Sequence, residues 1–166
     1  MGTPLPVNVC VHRTTTATPS DVFNLITDVT RMPQWSPETI AATWLDGASG
    51  PAVGVRFKGT NKLGKNTWST KPKITVFEPG RRFEFEVPGK SGPTWSYQLQ
   101  AVEGGATRIT ETVSQQRPSP ALIRFFQRRA GVTDRSANLR QAMETTLQRL
   151  CVAAEQTLSD SVATSN

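Results

Sequence analysis

The last long segment of the chain, Asp134 to Leu158, constrains the fold most strongly. It contains neither proline nor glycine, and its apolar residues recur at steps of three and four. They are Leu139, Met143, Leu147, Leu150, Ala154 and Leu158. This spacing predicts an amphipathic α-helix with one apolar stripe. At 1.5 Å per residue the helix is roughly 37 Å long. A one-sided helix of that length must cover an apolar surface, which the residues before it have to provide.

Those earlier residues contain seven segments in which apolar and polar residues alternate, as is typical of half-buried strands. The segments are 7–16, 39–45, 53–58, 67–77, 82–87, 95–101 and 107–113. Short turns such as Asp46–Gly47 and Glu78–Gly80 join most of them, which predicts antiparallel neighbours. Pro72 lies inside the fourth segment and predicts an edge position or a bulge there.

Helix signals occur after the first strand and before the long helix. Thr18 and Pro19 open a short helix, and Pro33 and Pro37 bracket a second, broken one. The segment Ser119 to Arg129 is predicted to start or precede the long helix, with a break near Gly131. The resulting fold class is α+β: a curved seven-stranded antiparallel sheet around a long C-terminal helix. We expect a single domain over residues 1–158 and a flexible tail over residues 159–166.

Composition and charge limit the classes of function. The 166 residues are 36% hydrophobic and 19% charged, without a run long enough for a membrane span or a signal peptide. Cys10 and Cys151 make no disulfide framework, which favours a cytoplasmic location, and both are expected in the core. The net charge of +6 comes from scattered Lys and Arg residues. No nucleic-acid motif accompanies them, so we expect no nucleic-acid partner and at most weak association with anionic membranes.

Several kinds of catalytic site are excluded by the motifs that the sequence lacks. His12 is the one histidine, and the two cysteines are not spaced as zinc ligands. The glycines do not form a phosphate-binding loop, and no nucleophile elbow accompanies the histidine. We therefore expect no metal and no cofactor.

An aromatic-rich interior remains as the candidate functional feature. Its members are Trp35, Trp44, Phe57, Trp68, Phe83, Phe85, Trp95 and Tyr97. Two interpretations stay open: these rings fill the core, or they line a pocket. From the helix, Met143 and Leu147 form the pocket floor or the core. Glu111 shares the parity of its apolar neighbours and points inward, unless a bulge turns it outward. A buried carboxylate needs a hydrogen-bond partner or takes up a proton.

Several stretches of the sequence also resemble a known family. They are residues 17–23 (ATPSDVF), 27–29 (TDV), 32–37 (MPQWSP), 94–97 (TWSY) and 104–108 (GGATR), followed by Thr110 and Glu111. They are similar to the START-like (SRPBCC) superfamily, which includes birch pollen allergen and the polyketide cyclase/dehydrase and lipid-transport proteins. The order of elements agrees along about 150 residues.

This resemblance implies a helix-grip fold in which the sheet and the long helix enclose a ligand cavity. It implies a hydrophobic small-molecule partner such as a lipid or a polyketide, and a protein that is a monomer or a homodimer. Some members are enzymes, and their catalytic residues differ, so a fold alone does not give the activity. The alternatives are a carrier, a cyclase or dehydratase using Glu111 or Tyr97, and a regulatory interaction module.

Overall fold

The computed structural model describes residues 7–117 and 134–163, with the isolated positions 121, 125, 128, 129 and 131 between them. Strand β1 (Val7–Thr15) comes first, followed by helix α1 (Pro19–Thr27) and a 3-10 helix (Val29–Gln34). Seven strands follow: β2 (Thr39–Trp44), β3 (Phe57–Leu63), β4 (Asn66–Thr70), β5 (Lys73–Glu78), β6 (Arg82–Glu86), β7 (Thr94–Ala101) and β8 (Thr107–Gln115). The long helix α2 (Arg135–Ala163) ends the described chain.

The strands form two antiparallel sheets. The larger sheet has five strands in the order β1-β8-β7-β6-β5, and the smaller has three in the order β2-β3-β4. The predicted α+β class, antiparallel pairing and long C-terminal helix are therefore confirmed. The prediction of a single seven-stranded sheet is wrong, because the described residues contain eight strands divided between two sheets.

A break near Pro72 explains most of this difference. The predicted strand over residues 67–77 is two strands, β4 and β5, which belong to different sheets. Pro72 lies between them and has no amide hydrogen to donate to a ladder. Its carbonyl instead accepts a hydrogen bond from the amide of Phe57 at 3.1 Å. The proline therefore marks the point where the chain leaves one sheet and enters the other.

The predicted strand over residues 53–58 has the wrong bounds, because only its last two residues belong to a strand. Gly54 has a φ of +88°, which is outside the extended conformation that a strand requires. Val53, whose parity suggested burial, is 64% exposed. The strand begins instead at Phe57 and runs to Leu63, so the alternation of Val53 and Val55 with Phe57 began by chance in the loop before the strand.

Helix α1 begins where the sequence predicts. The Thr18 hydroxyl accepts a hydrogen bond from the amide of Asp21 at 3.3 Å, and Pro19 occupies the first turn. One face of the helix is buried and carries Val22, Phe23, Leu25 and Ile26. The 3-10 helix that follows contains Pro33. Because proline ends the regular pattern of hydrogen bonds, the chain turns here towards the smaller sheet.

Helix α2 covers the core with the predicted stripe. Its N-terminus is capped by Asp134, whose carboxylate accepts a hydrogen bond from the amide of Ala137 at 3.1 Å. The stripe residues Leu139, Met143, Leu147, Leu150 and Ala154 are all buried. The side chain of Leu158 and most of the segment 119–129 lie outside the described residues.

Helix α2 extends into the segment that the sequence assigns to a tail. The helix continues to Ala163, so residues 159–163 are helical. The division into a domain over 1–158 and a tail over 159–166 stays a prediction. Within the described part of the chain, no helix is both long and apolar enough to cross a membrane.

Contacts between α2 and β1 fix the helix on the larger sheet. The Thr15 hydroxyl donates a hydrogen bond to Glu155 at 2.7 Å, and Arg140 donates one to the carbonyl of Cys10 at 3.1 Å. Cys151 is buried as expected, but Cys10 is exposed, so its expected place in the core is wrong. The helix is therefore held against β1 both near its start, by Arg140, and in its second half, by Glu155.

Candidate ligand cavity

A cavity of about 1100 Å³ lies between the first half of α2, the two sheets and the loop that joins β6 to β7. Helix α2 contributes Arg135, Leu139, Ala142, Met143 and Thr146 to its wall. The larger sheet contributes Phe85, Trp95, Tyr97, Glu111, Val113 and Gln115. Most of the lining surface is apolar, although polar side chains are found on every element of the wall.

The structure brings seven of the eleven expected pocket residues to this cavity. They are Phe57, Trp68, Phe85, Trp95, Tyr97, Glu111 and Met143. Trp68 lies on β4, at the side of the smaller sheet, and is 37% exposed. It therefore stands where the cavity wall meets solvent.

The other four expected pocket residues are not among those that line the cavity. Trp35 is buried next to the 3-10 helix, with the Arg31 guanidinium 5.6 Å from its ring centre. Trp44 meets Phe57 edge to face at 6.2 Å between ring centres. Phe83 and Leu147 are fully buried. The aromatic rings thus divide between the two interpretations, since some pack the core and others line the cavity.

A chain of hydrogen bonds among three polar residues of the cavity wall was missed by the sequence analysis. The Ser36 hydroxyl donates to the Thr39 hydroxyl at 3.2 Å, which donates in turn to the side-chain oxygen of Asn61 at 3.0 Å. All three residues line the cavity. The position of Asn61 was hidden because the strand that carries it was predicted to end at residue 58. A correct β3 would have placed Asn61 on the same side as Phe57.

An ion pair at the start of α2 was also missed. The Arg135 guanidinium contacts both carboxylate oxygens of Glu38, at 2.7 and 3.0 Å. Both residues are half-buried and line the cavity. This bidentate geometry is a strong form of the arginine–carboxylate pair. It ties the helix to the chain that enters β2, across 97 residues of sequence, so no local pattern could have indicated it.

The β6–β7 loop (residues 87–93) forms a further part of the wall. The amide of Val87 donates to the carbonyl of Pro93 at 2.9 Å, which closes the loop. A Cβ atom on Gly92 would lie 1.7 Å from the carbonyl oxygen of Val87. Because that distance is a severe clash, this turn requires glycine. The closed loop holds Lys90, which is exposed, at the cavity.

Tyr97 and Glu111 form the buried polar centre of the cavity wall. They are register partners on β7 and β8, which pair without a bulge, so the inward orientation of Glu111 is the observed one. The Tyr97 hydroxyl donates a hydrogen bond to Oε1 of Glu111 at 2.8 Å. Glu111 is 2% exposed and Tyr97 is 7% exposed. Among the described residues, Oε2 of Glu111 has no hydrogen-bond partner.

Burial dominates the electrostatics of this pair. It raises the pKa of Glu111 to about 8, although the hydrogen bond from Tyr97 lowers it. Burial also raises the pKa of Tyr97 well above its usual value, and the neighbouring carboxyl group adds to this effect. Near neutral pH, both groups therefore keep their protons for most of the time.

The chain matches the family model described as polyketide cyclase / dehydrase and lipid transport over residues 6–154. The protein belongs to this family. The START-like resemblance of the sequence is therefore confirmed. The residues that line the cavity run from Met32 to Thr146 in the sequence, so all of them lie within the range that matches the family. Comparison with curated proteins finds no match.

Solved structures show that the fold of this family member recurs. A Polyketide_cyc-like protein from Corynebacterium glutamicum is 28% identical, with a TM-score of 0.57, and the match covers 96% of this chain and 95% of that one. A START superfamily protein from Mycobacterium smegmatis is 11% identical, with a TM-score of 0.67 and coverage of 90% and 98%. Major latex-like protein 151 from Panax ginseng is 14% identical, with a TM-score of 0.66 and coverage of 91% and 99%. The last two similarities concern the fold alone.

Few charged side chains line the cavity of this family member. They are Glu38, Lys65, Lys90 and Arg135. Within the described ranges, no three His, Cys, Asp or Glu side chains are grouped so that they could hold a metal ion. The described wall offers apolar contact, hydrogen bonding, the charges of Lys65 and Lys90, and the titratable carboxyl group of Glu111.

Proposed function

We propose that this protein binds a hydrophobic small molecule, such as a lipid or a polyketide, in the cavity under the first half of α2. The observation that carries this proposal is a cavity of about 1100 Å³ whose lining surface is mostly apolar and whose buried polar centre is the Tyr97–Glu111 pair. Ligand sites in proteins have this character, and their volumes are commonly about 300–1000 Å³. The membership of a family described as polyketide cyclase / dehydrase and lipid transport supports the same ligand class.

The free energy of binding would come mainly from the apolar wall. Each methylene group transferred from water to such a wall contributes about 0.8 kcal/mol. A series of ligands with increasing chain length should therefore bind with stepwise increasing affinity until the cavity is full. The same series would show no such trend on a fully packed core.

Filling the cavity tests this proposal directly. Ala142 lines the cavity on α2, whereas Ala137 lies on the same helix and is exposed. Ala142→Phe should weaken the binding of N-phenyl-1-naphthylamine, a neutral apolar fluorophore, and Ala137→Phe should leave it unchanged. Fluorescence titration of the full chain measures both dissociation constants, and circular dichroism checks that both variants are folded.

Native mass spectrometry of freshly purified protein supplies an independent test. We expect a retained apolar molecule that Ala142→Phe excludes. The same spectra distinguish a monomer from a homodimer. A protein that retains nothing, and that binds neither the fluorophore nor any member of the chain-length series, would contradict the proposed function.

A second candidate function is a polyketide cyclase or dehydratase that uses the same cavity. The observation that favours it is the Tyr97–Glu111 pair in the cavity wall, because a carboxyl group with a pKa of about 8 can give and take a proton near neutral pH. An assay of poly-carbonyl substrates for cyclised or dehydrated product tests it. Glu111→Gln should then abolish turnover and leave substrate binding in place, whereas a carrier gives no product with either protein.

A further inference from the structure

The carboxyl oxygen Oε2 of Glu111, which has no hydrogen-bond partner among the described residues, indicates which polar group a ligand would carry. The Tyr97 hydroxyl donates to Oε1, so this oxygen already accepts a hydrogen bond. Oε2 is buried, belongs to a residue of the cavity wall, and has no partner among the described residues. A buried polar atom without a hydrogen bond costs free energy, so a ligand group that pairs with Oε2 is favoured over one that does not.

The surroundings of Glu111 decide whether Oε2 would donate or accept. On the neighbouring strands its register partners are Val11 of β1 and Tyr97 of β7, neither of which is charged at neutral pH. The charged residues of the cavity wall are Glu38, Lys65, Lys90 and Arg135, and Arg135 is paired with Glu38. The pKa of Glu111 is set by burial and by the Tyr97 hydroxyl, with no contribution from a charged group. The carboxyl group is thus mainly neutral at pH 7. Because the carbonyl oxygen of a carboxylic acid is its better acceptor, the hydrogen bond from Tyr97 to Oε1 favours the proton on Oε2.

We propose that the ligand bears a neutral acceptor oxygen, such as a ketone or ester carbonyl, on an otherwise apolar body, and that this oxygen accepts a hydrogen bond from Oε2 of Glu111. Tyr97 acts as a positioning residue, since its hydroxyl fixes the rotation of the carboxyl group. This inference rests on the proposed function, because it names the class of molecule that the cavity takes. It distinguishes carbonyl compounds from plain hydrocarbons and from amines.

A cationic amine fits the site less well. It would require an ionised Glu111, and burying both charges costs more than burying a neutral donor with a neutral acceptor. Two lysines, Lys65 and Lys90, line the same cavity, and the chain carries a net charge of +6. Both features repel a cation that approaches this site.

A pair of matched fluorophores tests the inference. One is 6-propionyl-2-(dimethylamino)naphthalene, which carries a ketone, and the other is its 6-propyl analogue, which lacks the oxygen. We expect the full-length parent to bind the ketone about tenfold more tightly than the analogue at pH 6.5, the effect of one buried hydrogen bond. This preference should disappear above pH 8.5, as Glu111 loses the proton that it donates.

Variants at Glu111 separate hydrogen bonding from shape. Glu111→Met keeps a side chain of similar length without a titratable group, and its relative affinity for the two fluorophores should not change between pH 6.5 and pH 8.5, even if the released Tyr97 hydroxyl donates to the ketone. Glu111→Gln should remove the pH dependence, because its amide nitrogen donates at every pH while its oxygen accepts from Tyr97. Glu86 is exposed on β6 and does not line the cavity, so Glu86→Gln is the control and should behave as the parent does.

The outcomes separate the proposal that the cavity binds a hydrophobic molecule from the proposal that Glu111 donates to a carbonyl oxygen of that molecule. Equal binding of both fluorophores by the parent and by every variant would overturn the inference about Glu111 and leave the hydrophobic cavity as a binding site. Tighter binding of the same naphthalene body with an ammonium group, increasing towards pH 9, would show instead that the ionised carboxylate takes a cation. If neither fluorophore binds the parent and the chain-length series also fails, the proposed function is itself overturned. Should Glu111→Met fail to fold, the pH profiles of the parent and of Glu111→Gln still decide the question.

Discussion

The buried carboxyl group of Glu111 makes the stability of the protein depend on pH in an unusual direction. Its pKa is about 8 in the folded protein, against an ordinary value of 4.5. Between these values the unfolded chain has released this proton and the folded protein still holds it. The free energy of unfolding therefore decreases as the pH rises through this range, by about 1.4 kcal/mol per pH unit. From pH 5 to pH 9 the loss amounts to about 4 kcal/mol.

That loss is large compared with the stability of a typical domain, which is about 5–15 kcal/mol. Glu111→Gln removes the titration and keeps the shape of the side chain, and its amide oxygen still accepts from Tyr97. We expect the unfolding free energy of this variant to lack the loss of about 4 kcal/mol that the parent shows. The stability difference between the two proteins should therefore change steadily from pH 5 to pH 8 and be constant above pH 9.

Urea denaturation at pH 5, 6, 7, 8 and 9 measures this difference. Glu86→Gln, at an exposed position on β6, is the control for a general change of net charge, and its curve should run parallel to that of the parent. If the parent and Glu111→Gln also run parallel throughout, Glu111 is ionised in the folded protein. The reasoning from burial would then be refuted, together with the assignment of the proton to Oε2.

Three further predictions follow from individual contacts. Leu147→Ala, at a fully buried position of α2, should lower the unfolding free energy by about 2–5 kcal/mol; in the same denaturation assay Val152→Ala, at an exposed position, should change it by less than about 0.5 kcal/mol. Equal effects of the two would contradict the observed packing of the helix. Tyr97→Phe removes the hydrogen bond that lowers the pKa of Glu111, so the loss of stability should extend to higher pH than in the parent, and a shift to lower pH would argue against the bond. Binding to anionic vesicles should be negligible at physiological salt in a co-sedimentation assay, because the basic residues are scattered, whereas binding that fades as salt is added would identify a basic docking surface.

Periodic patterns in the sequence were sufficient to determine the main elements of the fold. The stripe on α2 was readable because residues three and four apart must share a face of any helix. The start of α1 was readable because Thr18 and Pro19 satisfy the needs of a helix N-terminus locally. The parity of Glu111 with Ile109 and Val113 left an inward position and a bulge as alternatives, and the regular pairing of β7 with β8 decided for the inward one. The stripe and the start of α1 depend on residues within a few positions of one another.

The division into two sheets depended on contacts that no such pattern contains. Alternation continues across Pro72, and only the pairing partners of β4 and β5 show that these strands belong to different sheets. The early start of the strand predicted at residues 53–58 arose in the same way, because a loop can alternate by chance and its exposure is set by neighbours distant in sequence. Here the tertiary structure decided between alternatives that looked identical locally.

The cavity itself could be decided only by the tertiary structure. Trp95 and Phe83 both satisfy the same aromatic strand pattern, yet one lines the cavity and the other is packed in the core. The difference depends on what the other elements place opposite each ring, and those elements are joined by contacts such as Arg135–Glu38 and Thr15–Glu155, which are 97 and 140 residues apart in the sequence. A sequence determines which residues turn inward, because periodicity is local. Whether the inward side chains meet each other or leave a space is a matter of distances between elements, and those distances are fixed by contacts across the whole chain.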